Sequence, residues 1–211
     1  PIYNNKAVKE AYEDLREYID NLETQREIDR ITEIKECSTK LGRQPPTRKK
    51  EEAGITEDVA KLGTKLQTMN TSYNKKEGPI YNNKAVKEAY EDLREYIDNL
   101  ETQREIDKIT VIKDCATKLG RKPPRNKNEE AGITEDIAKL GKRLYHMTTA
   151  YNKKEGTVYN NKAVKEAYED LREYIDNLET QREIDRITEI KDCATKPVSY
   201  THLTLPTTPY V

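Results

Sequence analysis

The sequence predicts an all-α protein, built as a tandem array of small helical modules with a 78-residue period. One segment of 27 residues occurs three times without change, at Tyr3–Asp29, Tyr81–Asp107 and Tyr159–Asp185. Its apolar residues recur at alternating spacings of four and three, as they do along one face of a helix. The chain is 34% hydrophobic and 36% charged, which favours several small units over one large core.

The period divides the chain into repeat 1 at 1–79, repeat 2 at 80–157 and a truncated repeat 3 at 158–196. The three copies are identical even at positions expected to face solvent. This identity therefore indicates recent duplication and does not show which residues are important for function. The positions that differ between the copies are the informative ones.

The first helix of each repeat is expected at about Asn4–Leu22 in repeat 1, with Asn4 or Asn5 as its cap. Its apolar face consists of Val8, Tyr12, Leu15, Ile19 and Leu22. Short stripes of this kind are not stable alone, so we expect each helix to pack against its neighbours.

A second helix is expected at about Gln25–Leu41. Its apolar stripe is out of phase with that of the first helix, and Thr24 with Glu27 matches a capping box. We therefore predict a break or kink near Asn21–Thr24, with one uninterrupted long helix as the alternative. Gly42 is expected to end the second helix.

A loop at Arg43–Ile55 follows, in which Pro45 and Pro46 exclude helix. Thr56 is the predicted cap of a third helix, which ends in the segment Asn74–Pro79. The predicted buried face of this helix consists of Ile55, Val59, Leu62, Leu66, Met69 and Tyr73. Between repeats, Thr64, Gln67 and Thr68 become Lys142, Tyr145 and His146, which we expect only on exposed faces.

Cys37, Cys115 and Cys193 occupy one equivalent position in the three copies. They form neither a C-x-x-C pair nor an even-numbered framework, so we expect half-buried thiols in an intracellular, reducing compartment. No apolar run reaches the length of a membrane span and no signal-peptide pattern opens the chain, so no membrane partner is expected.

The repeat pattern stops after Lys196, where "PVSYTHLTLPTTPYV" replaces the expected loop. The run Val198–Thr207 resembles the translation of a transposon adapter used in sequencing libraries, and a native tail is the alternative. We expect 197–211 to be adapter-derived and the chain to be a fragment, so His202 carries no functional interpretation.

The sequence shows no pattern typical of an active site. It has no H-E-x-x-H, no Cys/His metal spacing, no P-loop, no G-x-G-x-x-G and no G-x-S-x-G. His146 stands where repeat 1 has Thr68, so the repeat does not depend on it. We expect no enzymatic activity, no cofactor, no metal and no small-molecule substrate.

Two proline-containing loops concentrate positive charge in a chain whose net charge is −1. Each loop region carries five basic residues, and such clusters bind phosphates in a salt-dependent manner. The candidate nucleic-acid-binding residues are Lys40, Arg43, Arg48, Lys49, Lys50, Lys118, Arg121, Lys122, Arg125 and Lys127. A further pair, Lys75–Lys76 or Lys153–Lys154, follows the third helix. Alternatively, these charges offset the helix dipole and maintain solubility.

The segment Ile34–Gly78 resembles the helicase-associated domain, a three-helix module often found in tandem. The matching residues are Gly42-Arg43, Pro45-Pro46, Leu62-Gly63 and Tyr73 in repeat 1, and Gly120-Arg121, Pro123-Pro124, Leu140-Gly141 and Tyr151 in repeat 2. The family's usual Trp after Leu-Gly is replaced by Thr64 or Lys142. The resemblance implies that Ala89–Ile97 supplies the third helix and that Arg43, Arg121 and nearby lysines bind nucleic acid.

Two functions remain open from the sequence. The first is a non-catalytic helical array whose basic loops contact the backbone of DNA or RNA, with little base readout because no aromatic residue lies within the loops. The second is a structural array whose helices bind a protein partner.

Overall fold

The computed structural model describes residues 6–48, 55–126 and 133–195. These residues form helices joined by turns and loops, and no strand occurs among them, so the all-α prediction is confirmed. The helices are α1 (Lys6–Leu41), α2 (Glu57–Lys75), α3 (Pro79–Asn82), α4 (Lys84–Leu119), α5 (Glu135–Lys153), α6 (Thr157–Asn160) and α7 (Lys162–Thr195).

The predicted break near Asn21–Thr24 is wrong, because α1 is one helix of 36 residues. Thr24 does not cap a new helix. Its hydroxyl donates to the carbonyl of Asp20, one turn earlier, at 2.8 Å, and this bond is compatible with a continuous helix. The alternative of one long helix is therefore the correct one, and α4 and α7 repeat it.

The phase slip in the apolar pattern has a different cause, which α4 makes clear. Val86, Tyr90 and Leu93, in its N-terminal part, are buried in one core, whereas Ile109 and Ile112 are buried in the next. One continuous helix thus contributes its N-terminal part to one core and its C-terminal part to another. The slip marks a change of partner along the helix.

The predicted helix end at Gly42 and the predicted helix start at Thr56 are confirmed. Gly42 adopts a left-handed φ of 60°, and the amide of Arg43 donates to the carbonyl of Ser38 at 3.2 Å, which closes the end of α1. The hydroxyl of Thr56 accepts from the amide of Val59 at 3.3 Å, and Thr134 does the same for α5. The candidate caps Asn4 and Asn5 lie outside the described residues, but the equivalent Asn83 caps α4 by accepting from Ala85 and Val86.

The short helices α3 and α6 were not predicted. Each follows a glycine and places one apolar side chain, Ile80 or Val158, in the core. The side-chain amide of Asn83 also donates to the hydroxyl of Thr24 at 2.7 Å, which links the start of α4 to the middle of α1.

Two compact units make up the structure, Pro1–Lys108 and Ile109–Val211, with the division inside α4. In the first unit, the C-terminal part of α1, α2, α3 and the N-terminal part of α4 enclose one core, and we call residues 24–100 module 1. The core residues are Ile31, Ile34, Leu66, Met69, Ile80, Val86, Tyr90, Leu93 and Ile97. Burial of each such side chain contributes roughly 1.5–3 kcal/mol, so this core accounts for the stability of short helices.

The second unit repeats this arrangement, and we call residues 109–178 module 2. Its buried residues include the equivalents of the module 1 core: Ile109, Ile112, Leu144, Met147, Val158, Val164, Tyr168, Leu171 and Ile175. The packing module is thus offset from the sequence repeat, because the first helix of one repeat completes the module begun by the repeat before it.

None of the described helices combines the length and the apolarity needed to cross a membrane.

Candidate nucleic-acid interface

The two proline-containing loops are held against the helix that follows them. Pro45 and Pro123 are fully buried, and the backbone of Pro46 lies directly on Gly63 of α2. A side chain at Gly63 would overlap the carbonyl of Pro46, and the same holds for Gly141 and Pro124. Glycine is required there because the loop backbone approaches the helix closely. Gly63 and Gly141 therefore allow the start of each loop to pack against α2 or α5.

The described basic residues of this interface lie at helix ends and in the loops. Lys40 and Lys118 are exposed in the last turns of α1 and α4, and Arg43 and Arg121 are half-buried just beyond the helix ends. Arg48, Lys122 and Arg125 are exposed in the loops. Lys49, Lys50 and Lys127 lie outside the described residues.

These exposed cations are not neutralised by described carboxylates. Ion pairs in the described ranges join residues three or four apart on one helix, as in Lys61 with Glu57 at 3.2 Å. Within the same ranges, no such pair involves Lys40, Arg48, Lys118, Lys122 or Arg125. Their charge is therefore available to an anion in solution, as far as the described residues are concerned.

Lys122 borders an open cleft in module 2 that the sequence did not predict. The cleft has a volume of about 220 Å³ and lies between α5 and α7, with Arg172 and Asp176 among its lining residues. Module 1 has the equivalent cleft, of about 200 Å³, bordered by Arg94, but Gln44 stands in the place of Lys122. The module 2 cleft thus carries one more positive charge.

An aromatic ring reaches the basic loop of module 2 from a different element. The guanidinium of Arg125 lies 3.8 Å from the ring centroid of Tyr145, an exposed residue of α5, in a cation–π contact. The His146 ring lies 5.8 Å from that of Tyr145, edge to face. Repeat 1 has Thr47, Gln67 and Thr68 at these positions, so this cluster is specific to module 2. The sequence signal for this cluster was the replacement of Gln67 in repeat 1 by Tyr145 in repeat 2, at an exposed position.

The described residues contain no cluster of three or more His, Cys, Asp or Glu side chains suited to hold a metal ion. Cys37 and Cys115 are half-buried, as predicted, whereas Cys193 is exposed. Burial raises the pKa of Cys37 and of Cys115, against a smaller opposite effect of Lys40 and Lys118. The higher pKa makes both thiols weaker nucleophiles at neutral pH.

Comparison of the chain with protein-family models, with curated proteins and with solved structures found no match.

Proposed function

We propose that this chain is a non-catalytic helical repeat region that binds the phosphate backbone of nucleic acid through its two basic loops. The observation that carries the proposal is a set of exposed cations that lie at the ends of α1 and α4 or in the described part of the loops and lack described carboxylate partners: Lys40, Arg48, Lys118, Lys122 and Arg125. The resemblance of the repeats to the helicase-associated domain agrees with the proposal.

The packing of the described, proline-containing part of each loop matters for affinity. Buried prolines leave the backbone next to them little conformational freedom to lose on binding, so less of the binding free energy is spent on ordering that part of the loop. Each phosphate that a lysine or arginine neutralises releases counterions, and this release is the sequence-independent part of nucleic-acid binding.

Module 2 is expected to contribute more than module 1, particularly for single strands. Its cleft has Lys122 in the place of Gln44, and its loop has Arg125 on the ring of Tyr145. An exposed aromatic ring next to cations is a surface on which a base of a single strand stacks. Exchange of Tyr145 for the repeat 1 residue, Tyr145→Gln, should reduce affinity for single-stranded oligonucleotides and leave that for duplexes nearly unchanged.

The test is a salt titration of binding, followed by the fluorescence anisotropy of a labelled DNA duplex of arbitrary sequence. We expect the logarithm of affinity to fall linearly with the logarithm of salt concentration, by about 0.9 for each phosphate contacted. A variant with Lys40, Arg48, Lys118 and Arg125 all changed to Gln should bind more weakly and show a shallower slope.

The matched control removes four positive charges from the surface of α1, α4 and α7, with Lys6, Lys9, Lys84 and Lys162 changed to Gln. These lysines pair with glutamates four residues later on their own helices, and none lies at a loop. The control has the same net charge as the loop variant. Equal losses in both variants would show that net charge, rather than the loops, governs binding.

No binding of duplex or single-stranded DNA or RNA at low salt would contradict the proposal. The second candidate function, a structural array that binds protein, would then be favoured, and the exposed apolar face of α1 supports it independently.

A further inference from the structure

The N-terminal part of α1 carries an apolar face that nothing in the described structure covers. We call Val8, Tyr12, Leu15, Ile19 and Leu22 the apolar stripe of α1. These five side chains are between 41% and 65% exposed, although they follow one another along one side of the helix. A continuous apolar face of this kind on a soluble helix indicates an interaction surface.

The same sequence shows what such a stripe packs against when it is covered. In α4 the equivalent residues Val86, Tyr90 and Leu93 are fully buried, and α7 repeats this burial with Val164, Tyr168 and Leu171. The three stripes lie in the identical segments Tyr3–Asp29, Tyr81–Asp107 and Tyr159–Asp185. The amino-acid sequence therefore does not distinguish the exposed stripe from the buried ones. The stripes differ only in whether neighbouring helices cover them.

That neighbour is a pair of helices, the C-terminal part of α1 together with α2. The pair supplies Ile31 and Ile34 from α1 and Leu66 and Met69 from α2 to the core that holds the α4 stripe. The apolar contact is thus made by two helices at once, which form a groove for the third.

Polar contacts fix the register between the helix pair and the helix it covers. The hydroxyls of Tyr96 and Thr39 share a hydrogen bond of 2.7 Å, and Lys35 lies 5.1 Å from the Tyr96 ring centroid. The hydroxyl of Tyr73 donates to Glu91 at 2.5 Å. In α1 the equivalents of Tyr96 and Glu91 are Tyr18 and Glu13, so α1 has both the apolar and the polar parts of the binding surface.

We propose that the apolar stripe of α1 is a docking surface for another module of the same kind, which covers it with a helix pair equivalent to residues 24–75. The described residues of a second copy offer no free pair, because α4 fills the groove of module 1 and α7 fills that of module 2. The partner is therefore a helix pair with equivalent apolar residues, whose groove holds no third helix. This inference is independent of nucleic-acid binding.

The test supplies the helix pair directly. A copy of residues 24–78 is placed before Pro1, which recreates the sequence Gly-Pro-Ile-Tyr that joins Gly78 to Tyr81. The reporter is Tyr18→Trp, which gives a single tryptophan, excited selectively at the long-wavelength edge of its absorption, because the chain contains no other. We expect the tryptophan of the extended chain to emit at shorter wavelength and to be quenched less by acrylamide than in the chain without the extension.

Two controls give the tryptophan emission and quenching expected for a covered and for an exposed stripe. Tyr96→Trp in the original chain reports the covered state, because Tyr96 is the equivalent residue and is half-buried. An extension in which the added copies of Leu66 and Met69 are both aspartate should leave the Tyr18→Trp signal as exposed as in the original chain.

The proposal is overturned if the intact extension leaves emission and quenching unchanged, since the same helix pair at the same spacing then fails to cover an identical stripe. It is also overturned if quenching in the chain without the extension falls as protein concentration rises. In that case a second copy, rather than a free helix pair, covers the stripe.

Discussion

Residues 6–22 of α1 and residues 84–100 of α4 have the same sequence and the same helical backbone, yet only those of α4 line a core. Leu93 is fully buried in module 1, whereas its equivalent Leu15 is 54% exposed. The comparison removes sequence as a variable, because every side chain in the two segments is matched. It therefore isolates the contribution of the neighbouring helix pair to stability.

The lesson is that an amphipathic pattern specifies a surface that is able to be buried, and a partner decides whether it is buried. The same applies at the other end of the chain. Ile187 and Ile190 of α7 are 65% and 70% exposed, whereas Ile31, Ile34, Ile109 and Ile112 occupy equivalent positions in filled cores.

The largest expected effect is on stability when the buried and the exposed leucine are each truncated. Leu93→Ala should lower the free energy of unfolding by about 2–5 kcal/mol, because it leaves a cavity in a core that has little room to collapse. Leu15→Ala should change it by less than about 0.5 kcal/mol. Guanidinium unfolding followed by circular dichroism measures both, and similar losses would contradict the burial difference.

A smaller difference is expected for the tyrosines of the same stripes. The hydroxyl of Tyr90 donates to the side-chain carbonyl of Asn70, and that of Tyr168 donates to Thr148 at 2.9 Å. Tyr90→Phe should cost about 1 kcal/mol, because Asn70 loses its partner in a partly buried position. Tyr12→Phe, at the exposed equivalent, should be neutral within the error of the same unfolding measurement.

The smallest expected effect is on thiol reactivity at the equivalent position of the three copies. Cys193 is exposed, whereas burial raises the pKa of Cys37 and of Cys115. At pH 8 a raised pKa leaves less thiolate, so the modification of Cys37 and Cys115 by a disulfide reagent should be several-fold slower than that of Cys193. Peptide mapping after brief labelling identifies the first thiol to react, and equal rates would contradict the difference in burial.

Much of the helical structure followed from local sequence signals. Thr56 and Gly42 form the predicted caps, and Pro45 and Pro46 lie in the predicted non-helical segment, because these residues act through their own backbone geometry. The continuity of α1 was predicted wrongly. Thr24 has two uses, as a cap or as a donor to the preceding turn, and the local sequence does not distinguish them.

The candidate interface was predicted only in part. The exposure of Lys40 and Arg48 agrees with the expectation that the loop cations are accessible. The contact of Arg125 with Tyr145 and the cleft shared by Lys122 and Arg172 were not predicted, since each joins residues that are about 20 or 50 positions apart in the sequence. The packing of the helices brings such pairs together, and local sequence patterns do not predict these contacts.

The sequence by itself determined that the chain is helical, where most of its helices end, and which faces are apolar, because propensity, caps and periodicity act over a few residues. Only the tertiary structure decided which of three identical stripes is exposed and that a packing module joins the end of one repeat to the start of the next. The physical reason is that burial is a property of two surfaces in contact, and the sequence of one surface specifies only its own half of that contact.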